Sequence, residues 1–562
     1  MTRTNLVVSL SGQEVFGVAA SLESVRSILA RVPRLTATLL LTKLLVHFDP
    51  EKTLEWVEFD RTVLREFMLR PEVRHPLNSR DPRDPERPRV AFHRQQLLVG
   101  LSLAQHLCPE QHTPTLDPEV YYLVGDALLG ISDLLDSGPA SSSDSSISSI
   151  GATLLPYFAE SNPPDPRFAI LRTARLIGRS EWASDAVLRR FRNRFEAGVG
   201  LTLDDYLNVL VGLYVRLEAL HQAERWDTLR SWEDFGAGSL TPKVRVVLEE
   251  LAVSFADLPR LVPSPDQVFR DRSLEPFRSR GLISLPDDRF LYSDYEFGTQ
   301  QATNGLIWRL RRLALSDAEG ESLLRSWGSL VEGYLHELLG GVLGSQYVRS
   351  PRDDGDREVT DALVDYGEEV VLLEFKRGFL RHDVKYSADV GRLEEELQLK
   401  FVKEGQIARA LMRIFGPERL GSRWLSFMRG VGARAPRVVY PIVVTDDYSL
   451  AAHGVESHLG DLVAESLKRV DLPVRPRVER LTVATVEDIE SLVPMLRRGL
   501  KLKRVLRERF EVDRLALNTL HNFLCDVAAH MRLDVLVDRA GVDRVLDDAK
   551  EFWVRASRGA SA

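Results

Sequence analysis

Apolar residues recur along this chain with two spacings, and the change from one to the other marks its main division. Leu6 to Ala19 alternates like a strand pair around Ser11-Gly12, and helical spacing follows near 22–31, 36–47, 92–107 and 118–136. Between them, Arg70 to Arg89 carries five prolines, which block a helix and predict a long surface loop. Ser137 to Gly151 is polar and low in complexity and reads as a flexible linker or loop. Helical spacing resumes over 152–316, with starts marked by Ser184 before Asp185, Thr202 before Leu203, and Thr241 before Pro242. Leu274 to Arg311 predicts a short hairpin turning at Pro286-Asp287-Asp288, then a helix. Further on, short apolar runs replace the helical rhythm, and strands are expected near 345–350, 357–366, 369–376, 437–445 and 480–486. The expected organisation is a mixed, mostly helical domain over 1–136, a Ser-rich linker over 137–151 and a helical domain over 152–316. An α/β domain with a mixed central sheet follows over 320–490, and C-terminal helices over 491–562.

Within the α/β stretch, Glu358-Val-Thr-Asp-Ala-Leu-Val-Asp-Tyr-Gly-Glu-Glu-Val-Val-Leu-Leu-Glu-Phe-Lys376 reads as a β-hairpin. Val370 to Leu373 is apolar on both faces, which marks a central strand, and Tyr366-Gly367-Glu368-Glu369 is the turn. A loop of two residues, Gly367-Glu368, or of four, Tyr366 to Glu369, places Asp361 directly opposite Glu374, with Cβ atoms about 5 Å apart. Two carboxylates that close repel each other unless a cation lies between them. Hard oxygen ligands suit Mg²⁺. Lys376 falls on the same face as Glu374, because side chains alternate along a strand. Lysine is scarce in this chain, 11 among 74 basic residues, so one in this position is unlike a generic surface cation. The competing reading is a structural hairpin, with Glu374 and Lys376 as a solvated stripe.

These residues resemble the PD-(D/E)XK nuclease superfamily, which has the restriction-endonuclease-like fold. Thr360-Asp361 stands where that family has Pro-Asp, and Glu374-Phe375-Lys376 matches its (D/E)-x-K element. Gly328 to Leu339 is similar to the family's first core helix, whose glutamate would be Glu332. Gln406-Ile-Ala-Arg-Ala-Leu411 is similar to the glutamine-bearing helix of RecB-like members, although Ala410 stands where they usually carry tyrosine. The resemblance covers roughly 320–490. It implies that Asp361, Glu374 and Glu332 hold Mg²⁺, with Mn²⁺ as an alternative ion. It further implies that Lys376 positions water or stabilises charge on phosphate, and that Gln406 orients the nucleic acid or the water.

A net charge of −8 gives no overall basic signature, so a nucleic-acid surface has to be local. Arg497 to Arg509 (RRGLKLKRVLRER) is the most basic window. Lys501, Lys503, Arg504 and Arg507 are its candidate phosphate contacts, with Lys400 and Lys403 beside the Gln406 helix as an extension. Arg189, Arg190, Arg192 and Arg194, interleaved with Phe191 and Phe195, read either as a nucleic-acid contact or as the polar face of a packed helix. Two cysteines, Cys108 and Cys525, exclude a disulfide framework and a Cys-based zinc site. No cleavable apolar leader, no spanning segment and no nucleotide-motor motif is expected, which implies a cytoplasmic protein without a membrane partner.

The function implied is Mg²⁺-dependent hydrolysis of phosphodiester bonds, with DNA as the partner. The role implied is that of an endonuclease effector in a bacterial restriction or anti-phage system, with partner proteins of a defence or repair pathway. The alternative is a non-catalytic nucleic-acid-binding or scaffold protein that retains the fold.

Overall fold

The computed structural model describes residues 8–10, 12–48, 53–74, 89–111, 117–136, 166–222, 235–236, 242–269, 274–286, 289–301, 305–352, 358–376, 380–386, 389–403, 406–415, 436–452, 454–469, 475–512, 519–531 and 538–559. Helices and mixed sheets are distributed over two compact units. One comprises residues 3–141, 189–320 and 543–562, the other 142–188 and 321–542 together with 1–2. This division differs from the expected one, in which 152–316 and 491–562 stood apart from 320–490. It falls between Ser141 and Ser142, in the expected Ser-rich stretch, and inside the helices Ala186–Val199, Asp317–Leu343 and Arg539–Gly559. Local composition signals linkers, whereas long-range pairs decide unit membership. Arg172 donates to Glu490 at 2.8 Å, more than 300 positions along the chain. The Ser-rich stretch 137–151 lies outside the described residues. Among the described residues, no helix is long and apolar enough to cross a membrane.

In the mainly helical unit, the helix Arg34–His47 is buried on nearly every side, and the helices Arg94–Leu107 and Pro118–Asp136 share its core. Among the described residues, the expected N-terminal strand pair is not found. Val8–Ser9 instead pairs in parallel with Arg89–Val90, and Gly12–Phe16 is helical. Alternation over so few residues does not specify a partner. Leu282–Ser284 pairs antiparallel with Arg289–Tyr292 and a helix spans Tyr295–Gln301, as expected, while Asp287 and Asp288 of the expected turn lie outside the described residues. Arg190 and Arg194 both pair with Glu319, and Arg192 pairs with Glu196 and Asp204. These arginines form the polar face of a packed helix.

The second unit holds the mixed sheet. Its strands are β1 (Tyr347–Arg349), β2 (Ala362–Asp365), β3 (Glu369–Lys376), β4 (Val438–Thr445), β5 (Arg477–Val478) and β6 (Thr482–Thr485). β1, β2 and β3 pair antiparallel in sequence order, and β4 lies parallel to β3. β5 and β6 pair in parallel with successive parts of β4. The long helix α1 (Asp317–Leu343) precedes the sheet. The connection from β3 to β4 includes α2 (Gln406–Phe415), and α3 (Val455–Lys468) leads from β4 towards β5 and β6. Helices α4 (Val486–Arg497), α5 (Leu502–Val512) and α6 (Leu520–His530) follow. Ile407, Ala410, Leu411, Ile414 and Phe415 of α2 pack with Leu363, Val370, Leu372 and Val443 of the sheet. Ala410 is fully buried there.

Candidate metal centre

The geometry begins at the turn. Tyr366 N–H donates to the Glu369 carbonyl at 3.0 Å, which leaves Gly367 and Glu368 as the loop. Gly367 has a φ of 83°, a backbone state that glycine adopts without steric cost. The turn sets a register in which Ala362 faces Leu373 and Asp365 faces Val370. One further step puts Asp361 opposite Glu374. At that step the backbone ladder stops and side chains continue it. Thr360 Oγ1 donates to the Leu373 carbonyl at 2.8 Å, and Phe375 N–H donates to Asp361 Oδ2 at 2.5 Å. The Asp361 carbonyl meanwhile accepts from Ser350 N–H at 2.8 Å.

Glu374 is buried and Asp361 largely so. Burial raises the pKa of both carboxyls above the ordinary range, because the low-dielectric surroundings disfavour charge. The Asp361 charge raises Glu374 further, and the charges of Glu332 and Glu358 raise Asp361. Three contacts pull the other way: Phe375 N–H on Asp361, Thr360 on Glu374, and the Lys376 ammonium on both. Glu332, Glu358, Asp361 and Glu374 thus share one negative field at the end of β3.

The place of this field within the sheet matters. β3, β4 and β6 run parallel and end side by side, with Lys376 next to Thr445 and Thr445 next to Thr485. Open α/β sheets bind ligands outside the carboxyl ends of their strands. Asp361, just before the antiparallel β2, comes to the same edge.

Glu332 reaches the field from α1 and keeps about a fifth of its side chain exposed, 22%. One helical turn on, His336 is buried, with Nδ1 2.6 Å from Tyr347 Oη and Nε2 3.5 Å from Glu332 Oε1. It flanks the glutamate and packs edge-on to Phe375. Gln406 opens α2, but its side chain lies outside the described residues, as does that of Lys403. Lys400 pairs with Glu396 at 2.7 Å.

Several cations of the basic window make internal pairs. Lys503 and Arg507 hold Glu369 at 3.1 and 2.6 Å, Arg504 holds Glu508 at 2.5 Å, and Arg509 is buried against Glu456. Leu502 N–H also donates to Tyr366 Oη at 3.2 Å. Lys501 is exposed. α5 therefore fastens the turn end of the hairpin. Lys376 ends the same eight-residue strand, about 23 Å away at 3.3 Å per residue.

Reading the sequence for site residues missed Glu358 and Thr360. Their proximity to Asp361 was visible, but neither the field of Glu358 nor the side-chain ladder of Thr360 follows from spacing. Among the described residues, no group of three His, Cys, Asp or Glu side chains is gathered as a ready metal cage. Mg²⁺ does not require one. It commonly takes one or two carboxylates and keeps several waters. Two buried carboxyls with raised pKa in a field of four acids suit such an ion, so the donor set fits.

No family model, curated protein or solved structure matches the chain.

Proposed function

We propose that this protein is a Mg²⁺-dependent nuclease with a restriction-endonuclease-like core, acting on DNA as an endonuclease in the bacterial cytoplasm. The biological role we propose is that of an effector in restriction or anti-phage defence. The observation that carries the reading is the register that brings Asp361 opposite Glu374 at the carboxyl edge of the sheet, where the charges of Glu332, Glu358 and Lys376 act on them.

Asp361 and Glu374 would hold the ion, with the main-chain carbonyl of Phe375 and with Glu332 as further donors. When bound, Mg²⁺ supplies Lewis acidity towards a phosphate oxygen and lowers the pKa of a coordinated water. Lys376 orients the attacking water or stabilises charge that develops on the phosphate. Glu332, held from α1, accepts a proton or a water hydrogen bond. Burial of Glu374 keeps bulk water from screening these charges.

A second reading is favoured by one contact. Asp361 Oδ2 is engaged by Phe375 N–H, which takes up one of its lone pairs, weakens its hold on a metal and suits a nucleic-acid-binding protein without turnover. Purified protein incubated with linear, circular and single-stranded DNA, in MgCl₂ or EDTA, separates the two. Cleavage that requires Mg²⁺ and is lost in Glu374→Gln supports the nuclease, and binding without cleavage supports the second reading.

A further inference from the structure

Away from the carboxylate field, the C-terminal helices bring a cysteine, a histidine and a carboxylate into line. His521 and Cys525 lie four residues apart on α6 and so share a face. Cys525 Sγ is 3.6 Å from His521 Nε2. Across the ring, His521 Nδ1 lies 3.7 Å from Asp488 Oδ1 and 3.9 Å from Glu487 Oε1, both on α4. Asp488 is only 1% exposed. Its Oδ2 accepts from Thr485 in the cap of α4, while its Oδ1 has no hydrogen-bond partner among the described residues and faces the imidazole. A buried carboxylate oxygen left in that state is costly, and a positive ring beside it offsets the cost. Cys525 itself is exposed.

We infer that Cys525 is a reactive thiol, one that attacks as the thiolate beside the His521 imidazolium and is open to two-electron oxidation by hydroperoxides. The sulfur attacks the terminal oxygen of ROOH. An S–O bond forms as the O–O bond breaks, and the RO⁻ that leaves takes the proton of His521. The products are a cysteine sulfenic acid, ROH and neutral His521; sulfur has lost two electrons and the peroxide has gained them.

The surrounding charges agree with this assignment. Burial pulls the His521 pKa down, but the Cys525 thiol and the carboxylates of Asp488 and Glu487 carry it up to about 10. Burial raises the Asp488 pKa, against which the His521 ring, the Thr485 hydrogen bonds and, from α5, Arg509 favour its charge; Arg509 is itself paired with Glu456. On α6, His530 Nδ1 lies 2.7 Å from the Asp526 carbonyl, one turn beyond the cysteine. Cys108 gives the contrast within the same chain, being buried, with its thiol pushed up to about 12.

The test is the rate of iodoacetamide labelling of the full chain, followed by intact-mass and peptide mass spectrometry. An ordinary thiol, with a pKa of about 8.5, loses about tenfold in rate per pH unit below that value. Cys525 is expected to label first, to keep most of its rate down to about pH 6, and there to exceed N-acetylcysteine by about 10-fold. His521→Gln, and independently Asp488→Asn, should restore the ordinary profile; Cys525→Ser should remove the fast label. With hydrogen peroxide, dimedone should trap the sulfenic acid at Cys525. A wild-type profile that follows an ordinary thiol overturns the inference without any variant. An unchanged rate in folded His521→Gln, or no dimedone adduct at Cys525, overturns it as well.

Discussion

Arg509 meets Glu456 through two hydrogen bonds, at 2.7 and 2.5 Å, and neither side chain is more than 2% exposed. Glu456 also accepts from Val483 N–H at 3.0 Å, so the pair joins α5 to α3 and to strand β6. Removing one partner of a buried pair leaves the other charged without a counterion, at a cost of about 3–5 kcal/mol. Arg509→Met should therefore lower stability by about that much in urea titration. Arg504→Ala, which deletes an exposed pair with Glu508, should cost about 0.5 kcal/mol or less. Equal losses in the two variants would show that burial of the pair carries no weight.

Asp361→Ala and Glu374→Gln should each abolish Mg²⁺-dependent cleavage, read as loss of relaxation and linearisation of a plasmid. Circular dichroism should show both proteins folded. Glu374→Gln should be at least as stable as the parent without metal at neutral pH, because it removes the charge that burial disfavours.

The pH dependence of stability follows from the same two groups. Their folded pKa values lie above their unfolded values of about 4, so the folded state favours the protonated forms. The penalty is absent below about pH 4, grows as pH rises through the raised folded pKa values, and is constant above them. Metal-free protein should lose stability across that interval, and Glu374→Gln should flatten the loss. Added Mg²⁺ should stabilise most at the upper end, by about 2.7 kcal/mol at a hundredfold excess over its Kd. Thermal unfolding with and without MgCl₂ across this range checks both signs; a Mg²⁺ effect that shrinks as pH rises would remove these carboxylates from the site.

Lys376→Arg should retain metal binding and lose about 100-fold or more in cleavage rate, since a guanidinium keeps the charge but neither titrates nor matches the compact ammonium. Metal binding by calorimetry and single-turnover cleavage separate the two effects. Full activity in this variant would reduce Lys376 to a generic cation.

Reversing Lys503 and Arg507 to Glu should cost stability, because both hold Glu369. It should leave the slope of log affinity against log salt for DNA unchanged. A phosphate contact would have reduced that slope by about 0.9 for each cation removed. Lys501→Glu with Arg504→Glu, at exposed positions of the same segment, serves as the comparison in a fluorescence anisotropy titration.

The hairpin was readable in the sequence because its determinants are local. An apolar run bounded by a glycine turn gives both strand and register, and these bring Asp361 and Glu374 opposite one another. β3 occupies the residues expected of it, and β1, β2, β4 and β6 fall within their expected stretches, whereas β5 (Arg477–Val478) lies outside every one of them. What stayed hidden depends on packing between distant segments. Lys501 and Arg509 look alike in a basic window, yet one is exposed and the other sealed against Glu456. The partner of Val8–Ser9 lies some 80 positions on, and three of the unit boundaries fall inside helices where composition gives no signal, whereas one falls in the Ser-rich stretch, between Ser141 and Ser142. Thr360 and Asp361 supply side-chain hydrogen bonds where a backbone ladder would be assumed.

That substitution has a spectroscopic consequence. The Phe375 amide donates to a carboxylate oxygen instead of a carbonyl, so its proton resonance senses the ionisation of Asp361. Titrating that one resonance would follow protonation, and ion binding too, without any substrate. A strand amide thereby becomes an internal indicator for the site, readable in protein that has never met nucleic acid.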